Sequence, residues 1–202
     1  MDYREAATLY QKTEDENRRE EILQSLRKEM TLKEKIYMLS GHPLAQIQRD
    51  MIKTGRNYNV HALPGGGCKR LGIPPVLFTD GPRGVVMGES TCFPSSMVRA
   101  SSFDPSLEYR VGKAIADEAI AQGANLFAGV CINLVRNPRW GRTQESYGED
   151  PFLLGEFGKA LTVSVQEEGV IACAKHFALN SMEDLRFYVD VHIDDRALHE
   201  VY

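Results

Sequence analysis

No stretch of this 202-residue chain approaches the ~18 consecutive apolar residues that a membrane-spanning helix requires. Its first residues, MDYREAATLYQKTEDENRREE, are charged and have no apolar centre of the kind a secretory leader carries, so a cytoplasmic setting is expected. An excess of basic charge is missing as well. Lys and Arg number 24 against 28 Asp and Glu, a formal net charge of −4, which leaves no footprint for nucleic acid. Cysteine is sparse. Cys68, Cys92, Cys131 and Cys173 are widely separated with no CxxC pair, which argues against a zinc knuckle or a disulfide framework and for reduced, buried thiols. His61, His192 and His199 share no metal-ligand spacing, and neither a metal nor a cofactor is expected. A Gly-rich phosphate turn after a strand is also lacking, because the triplet Gly65, Gly66, Gly67 precedes the first strand candidate.

What is present is a globular composition, 43% hydrophobic and 26% charged, long enough for one domain with a core. Ile22, Leu26 and Met30 form one stripe of a surface helix over residues 17–30. Thr31 and Glu34 have capping-box spacing, and Leu32, Ile36 and Leu39 line one face of a second helix that Gly41 ends. Residues 42–71 lose periodicity and read as a long irregular excursion.

From there short apolar runs alternate with helices. The runs are 76–79, 126–134, 170–177 and a weaker 189–193. Asp104 with Pro105 and Asp150 with Pro151 are N-cap and first-turn signals. Leu107, Val111, Ala114, Ile115 and Ala119 make the inner stripe of the first helix, which Gly123 ends. Leu153, Phe157, Ala160, Leu161 and Ser164 make that of the second, which Gly169 ends. Strand, loop, helix, strand, repeated, is a parallel α/β sheet. The chemically loaded residues follow the apolar runs: Asp80 after VLFT, residues 136–149 after AGVCINLV, Lys175 and His176 after VIACA. Such a layout favours a TIM barrel of the (β/α)8 type, whose strand ends build one pocket, over an open doubly wound sheet.

Several of these residues carry alternative readings. Asp80 opens DGPRG, which suits an Asx turn or an acceptor for sugar hydroxyls. Lys175, inside an apolar run, is costly unless paired. It suits a Schiff-base nucleophile or a cation holding hydroxyls beside a donor His176. The loop NPRWGRTQESYGEDP holds Arg142 and, just before it, Arg136, forked cations for carboxylates or hydroxyls. Glu145, Glu149 and Asp150 are their candidate structural partners, and Trp140 is either a stacking platform or a buried clamp.

Taken together, DGPRG, FPSSM, NPRWGRTQESYGEDP, KHFALN and DDRALHEVY resemble the N-terminal barrel domain of glycoside hydrolase family 3, the β-glucosidase and β-xylosidase group, from about Met30 to Tyr202. The resemblance implies a helical extension over residues 1–30 and, over 31–202, roughly the first half of a TIM barrel truncated at its C-terminus. It implies that Asp80, Arg142, Lys175, His176 and Arg186 contact sugar hydroxyls in the -1 subsite. The aspartate common before PRWGR is Asn137 here, and Val86 stands where an arginine is frequent, with Arg83 nearby. KHFALN in place of KHFPGHG disfavours the N-acetylhexosaminidase branch.

Family members retain configuration, with two carboxyl groups about 5–5.5 Å apart. Their nucleophile lies in an SDW- or SDY-like motif on a later strand and their general acid usually in a second domain; neither is among these 202 residues. Asp194 and Asp195 serve instead as N-cap and first-turn residues of a helix. The resemblance therefore implies part of a retaining β-glycosidase, with a β-glycoside or oligosaccharide substrate, a missing C-terminal half as partner, no catalytic residue in the chain, and no activity in isolation. A sugar-binding or complementing module and a Schiff-base lyase using Lys175 are the alternatives.

Overall fold

A computed structural model of the protein describes residues 1–41, 49, 51, 53 and 59–202. The chain divides into two compact units, Met1–Tyr58 with Leu63–Leu77, and Asn59–Ala62 with Phe78–Tyr202. Most of the excursion expected over 42–71 falls on residues 42–58, which apart from 49, 51 and 53 lie outside the described residues.

In the first unit, α1 (Tyr3–Gln11), α2 (Glu16–Glu29) and α3 (Leu32–Met38) are short helices held by their caps. The Thr31/Glu34 capping box forms as the spacing predicts, and α1 begins with a second box made by Asp2 and Glu5. Ile22 and Leu26 are buried with Ala6, Cys68 and Leu71 in a small core. Leu32, Ile36 and Leu39 are exposed, so the stripe predicted for α3 is not its anchor. Glu34 ties α3 down instead, accepting from Arg70 Nε at 2.8 Å and Nη2 at 2.7 Å, while Nη2 also donates to the Glu29 carbonyl at 2.7 Å. These bonds hold the Glu34 carboxyl well below the usual carboxylate range. A short strand not anticipated from sequence, β1 (Leu63–Gly65), belongs to the same unit.

The second unit contains the β/α repeat. Strand β2 (Val76–Asp80), of which Phe78–Asp80 fall in this unit, pairs in parallel with β3 (Leu126–Cys131), with Phe78 opposite Leu126 and Asp80 opposite Ala128. β3 pairs in parallel with β4 (Ile171–Lys175), from Leu126 opposite Ile171 to Cys131 opposite Lys175. β3 is buried along almost its whole length, as a parallel strand covered on both faces must be. Between β2 and β3 run α4 (Ser96–Ala100) and α5 (Pro105–Ala121), and α6 (Pro151–Glu167) links β3 to β4. Asp104 and Asp150 cap α5 and α6, accepting from Ser106 N–H at 2.9 Å and Phe152 N–H at 3.1 Å. The chain ends in α7 (Asp195–Glu200), where Asp194 caps by accepting from Ala197 N–H at 2.9 Å.

Phe127, Val130, Ile115, Phe157, Leu161 and Val165 centre the core between β3 and the two long helices. The buried face of α5 also includes Glu108 and Gly112, which a purely apolar stripe passes over. Glu108 is tolerated inside because Arg99 donates to it twice, at 2.7 and 3.0 Å, and the Tyr147 hydroxyl once, at 2.7 Å. Arg99 in turn donates to the carbonyls of Pro94 at 2.5 Å and Pro82 at 3.2 Å, so this ion pair also clamps the loop behind Asp80.

Two further sequence expectations change. Residues 189–193 form no strand, and Val189 and Val191 are exposed, because an apolar run becomes a strand only where a neighbour takes up its N–H and C=O groups. The cysteines are not uniformly buried: Cys68 and Cys131 are, Cys173 is half-buried and Cys92 is exposed.

Candidate functional site

Strands β2 and β4 deliver Asp80 and Lys175 at their carboxyl ends, on either side of β3, and the two side chains meet: Lys175 Nζ lies 2.5 Å from Asp80 Oδ1. Both are mostly shielded, with side chains 12% and 26% exposed. The carboxylate thus meets the requirement that a lysine in an apolar run be paired. Asp80 is itself held from behind. Its N–H donates to Asn59 Oδ1 at 2.6 Å, and its Oδ1 accepts from Gly81 N–H at 2.9 Å. Gly81 has φ +138°, and a Cβ there would stand 1.7 Å from the Gly84 carbonyl oxygen, so only glycine permits this turn. Asp80 Oδ2 has no partner among the described residues, which leaves an acceptor for a ligand.

The loop after β3 supplies Arg142. Its Nε and Nη2 fork onto Glu145 at 2.8 and 2.6 Å, the partner role foreseen for that glutamate, and Nη1 has no partner among the described residues. Trp140 is the buried clamp and not the platform: it is 6% exposed and its Nε1–H donates to Glu183 Oε1 at 3.1 Å. Arg136 and Glu149 are exposed, and Asp150 is occupied by capping α6.

His176 follows Lys175 and turns to a residue that sequence reasoning passed over. Asn133 Oδ1 accepts from the His176 N–H at 2.9 Å and lies 2.8 Å from the ring Nδ1. Asn133 Nδ2 donates to the Asn180 carbonyl at 3.0 Å, and the Asn133 carbonyl accepts from the Ser146 hydroxyl. The only signal available was a polar residue within the run AGVCINLV. Burial, with the Arg142 and Lys175 cations nearby, lowers the His176 pKa from its ordinary value to about 4; Glu145 and Asp80 oppose that shift. The same charges reach Cys131, whose thiol burial pushes up to about 12. Asp80, Arg142, Glu145, Lys175 and His176 therefore share one electrostatic neighbourhood at the carboxyl end of the sheet.

Arg186 stands apart. Its Nη1 pairs with Glu183 Oε2 at 2.7 Å and its guanidinium lies over the Phe187 ring at 4.8 Å, so among the described residues its link to the cluster is Glu183. Glu183 is a second residue the sequence did not single out; it receives Trp140, Arg186 and, at 3.5 Å, Asn180 Nδ2. Among the described residues no group of three or more His, Cys, Asp or Glu is placed to hold a metal ion, and no helix is long and apolar enough to cross a membrane.

The chain is similar to known proteins. A β-glucosidase of Bacteroides ovatus is 37% identical over 164 residues, covering 74% of this chain and 22% of its own length. Thermostable β-glucosidase B of Acetivibrio thermocellus is 36% identical over 188 residues, covering 87% of this chain and 22% of its own. Among solved structures, β-glucosidase 3B of Thermotoga neapolitana in complex with glucose superposes with a TM-score of 0.74 at 31% identity, over 87% of this chain and 26% of that one. The chain thus spans about a fifth to a quarter of the length of the relatives it matches. Its α/β architecture is that of the TIM-barrel domain of these enzymes, with part of the sheet present. Residues 50–197 match the family described as "Glycosyl hydrolase family 3 N terminal domain", and the chain belongs to that family.

Proposed function

We propose that the chain forms the sugar-holding side of a β-glycosidase pocket that takes β-glucosides or related oligosaccharides, with residues 31–202 as the barrel part and 1–30 as a helical extension. The observation that carries the proposal is the Asp80–Lys175 contact at 2.5 Å across β3, with Arg142 and His176 in the same field. Asp80 Oδ2 accepts hydroxyls, Lys175 and Arg142 donate to them, and His176 contacts a further one; Arg186 supports the pocket by holding Glu183, the acceptor of Trp140. Vicinal hydroxyls on one ring suit such an alternation of acceptors and donors. The proposal gains support from the glucose complex of the Thermotoga neapolitana enzyme.

Cleavage with retention requires a nucleophile and an acid about 5–5.5 Å apart. Among the described residues the carboxylates of the cluster each sit in an ion pair, Asp80 with Lys175, Glu145 with Arg142 and Glu183 with Arg186. In this reading both groups come from polypeptide outside these 202 residues, the chain alone is inactive, and its setting is cytoplasmic. A Schiff-base role for Lys175 is disfavoured, since its Nζ is held by Asp80 Oδ1 at 2.5 Å and is not open to attack a carbonyl.

Calorimetric titration of the chain with glucose tests the binding role. Saturable binding near the millimolar range, about −4 kcal/mol, is expected. It should weaken at least tenfold in Lys175→Met and Asp80→Asn. Absence of saturable heat in the folded wild type, or equal affinity in both variants, overturns the sugar reading. Enzyme-like turnover of a chromogenic β-glucoside by the pure chain overturns its inactivity.

A further inference from the structure

Asn133 is buried, 7% exposed, and both ends of its amide are committed to partners whose roles are unambiguous. The His176 backbone N–H can only donate, and it lies 2.9 Å from Oδ1; the Asn180 backbone carbonyl can only accept, and it lies 3.0 Å from Nδ2. Flipping the amide would set donor against donor at one end and acceptor against acceptor at the other. The oxygen therefore faces His176, and the ring nitrogen 2.8 Å from it must carry a hydrogen, since a bare Nδ1 would oppose lone pair to lone pair.

We propose that Asn133 is a positioning residue that holds His176 in the Nδ1–H tautomer, so that the neutral ring offers Nε2 as an acceptor, and not a donor, to a substrate hydroxyl. This rests on the sugar reading only in its last clause. It reverses the donor role expected of His176 and divides the pocket's labour: Lys175 and Arg142 donate, while Asp80 and His176 accept. A ligand must then present at least one hydroxyl as donor to the ring. An analogue with that hydroxyl replaced by fluorine or an ether oxygen, neither of which can donate, loses the contact.

The charged groups that act on the ring are Arg142 and Glu145 from the loop after β3, Lys175 from β4 and Asp80 from β2. Burial disfavours an imidazolium and both cations add to it, against Glu145 and Asp80, so the neutral form that makes tautomerism meaningful is the one present near pH 7.

Long-range nitrogen–proton NMR correlations of the nitrogen-15-labelled 202-residue chain at pH 7 test the assignment. The wild type is expected to show Nδ1 protonated and Nε2 bare. Asn133→Ala removes the acceptor and should release the ring to the Nε2–H form. Should Asn133→Ala fail to fold, Asn133→Asp keeps an acceptor at the same place: Nδ1–H persists and the ring's titration midpoint rises by about one pH unit or more, because a carboxylate stabilises the imidazolium. An Nε2–H ring in the wild type, an Nδ1–H ring in folded Asn133→Ala, or an unmoved midpoint in Asn133→Asp overturns the proposal. In the same samples, addition of glucose should perturb the Nε2 signal. If the tautomer is as stated but glucose leaves Nε2 unmoved, the sugar reading fails while the positioning role of Asn133 stands.

Discussion

Replacing Glu108 by leucine isolates the energetics of the buried pair behind the Asp80 loop. In the native chain the Glu108 side chain is fully buried and that of Arg99 is 2% exposed, with Nε and Oε2 2.7 Å apart. Leucine fills much of the space but leaves the guanidinium charge inside, with the carbonyls of Pro82 and Pro94 and the Ser96 hydroxyl as its remaining acceptors. It also strips the buried Tyr147 hydroxyl of its acceptor. Breaking a buried pair from one side costs about 3–5 kcal/mol, and an orphaned buried hydroxyl adds about 1 kcal/mol. For a chain of this length, about 2–4 °C of melting temperature is lost per kcal/mol, so Glu108→Leu should melt roughly 10–20 °C lower.

The companion variant Arg99→Met/Glu108→Leu removes both charges together. It gives up donors to two carbonyls, yet it no longer buries an unpaired ion, and should be more stable than Glu108→Leu alone. Urea unfolding followed by far-ultraviolet circular dichroism measures both. A loss under about 1 kcal/mol for Glu108→Leu, or a double variant less stable than the single one, refutes the argument that pairing is what permits a carboxylate in this core.

Two further outcomes follow from particular contacts. Gly112→Ala would place a Cβ 1.9 Å from Ser164 Oγ and 3.0 Å from Leu161 Cδ1, between α5 and α6, and should destabilise by about 1–3 kcal/mol despite alanine's better helix propensity, whereas Gly155→Ala, with open space, should not; chemical denaturation separates them. Because the folded His176 pKa of about 4 lies below the ordinary value of 6.5, protons bind the unfolded chain first as pH falls. Its contribution is complete above about pH 6.5 and lost progressively down to about pH 4, amounting to about 1–2 kcal/mol once solvent screening of a half-buried ring is allowed for. A His176→Gln variant should show a flatter stability profile across that window.

The helix starts were legible because their information is local. Asp104–Pro105, Asp150–Pro151 and the Thr31/Glu34 box satisfy backbone donors within three residues, so spacing alone reveals them. The parallel strands were legible as apolar runs ending in polar residues. The 189–193 run matches a strand in pattern but not in environment: among the described residues no neighbouring strand pairs with it. Glu108 was passed over since a charge on an inner helical face is admissible only with a partner, and Arg99 sits nine residues away on another helix.

By itself, then, the sequence determined where α3, α5, α6 and α7 begin, which segments become β2, β3 and β4, and that Asp80, Arg142, Lys175 and His176 lie at strand ends or beyond them. Only the tertiary structure decided what each would touch. The Asp80–Lys175 bond spans 95 positions and the Asn133–His176 bond 43, distances at which no spacing rule operates, because the sheet and its register bring such residues together. A carboxylate becomes an ammonium's partner, and an imidazole an acceptor, through the neighbours that folding supplies.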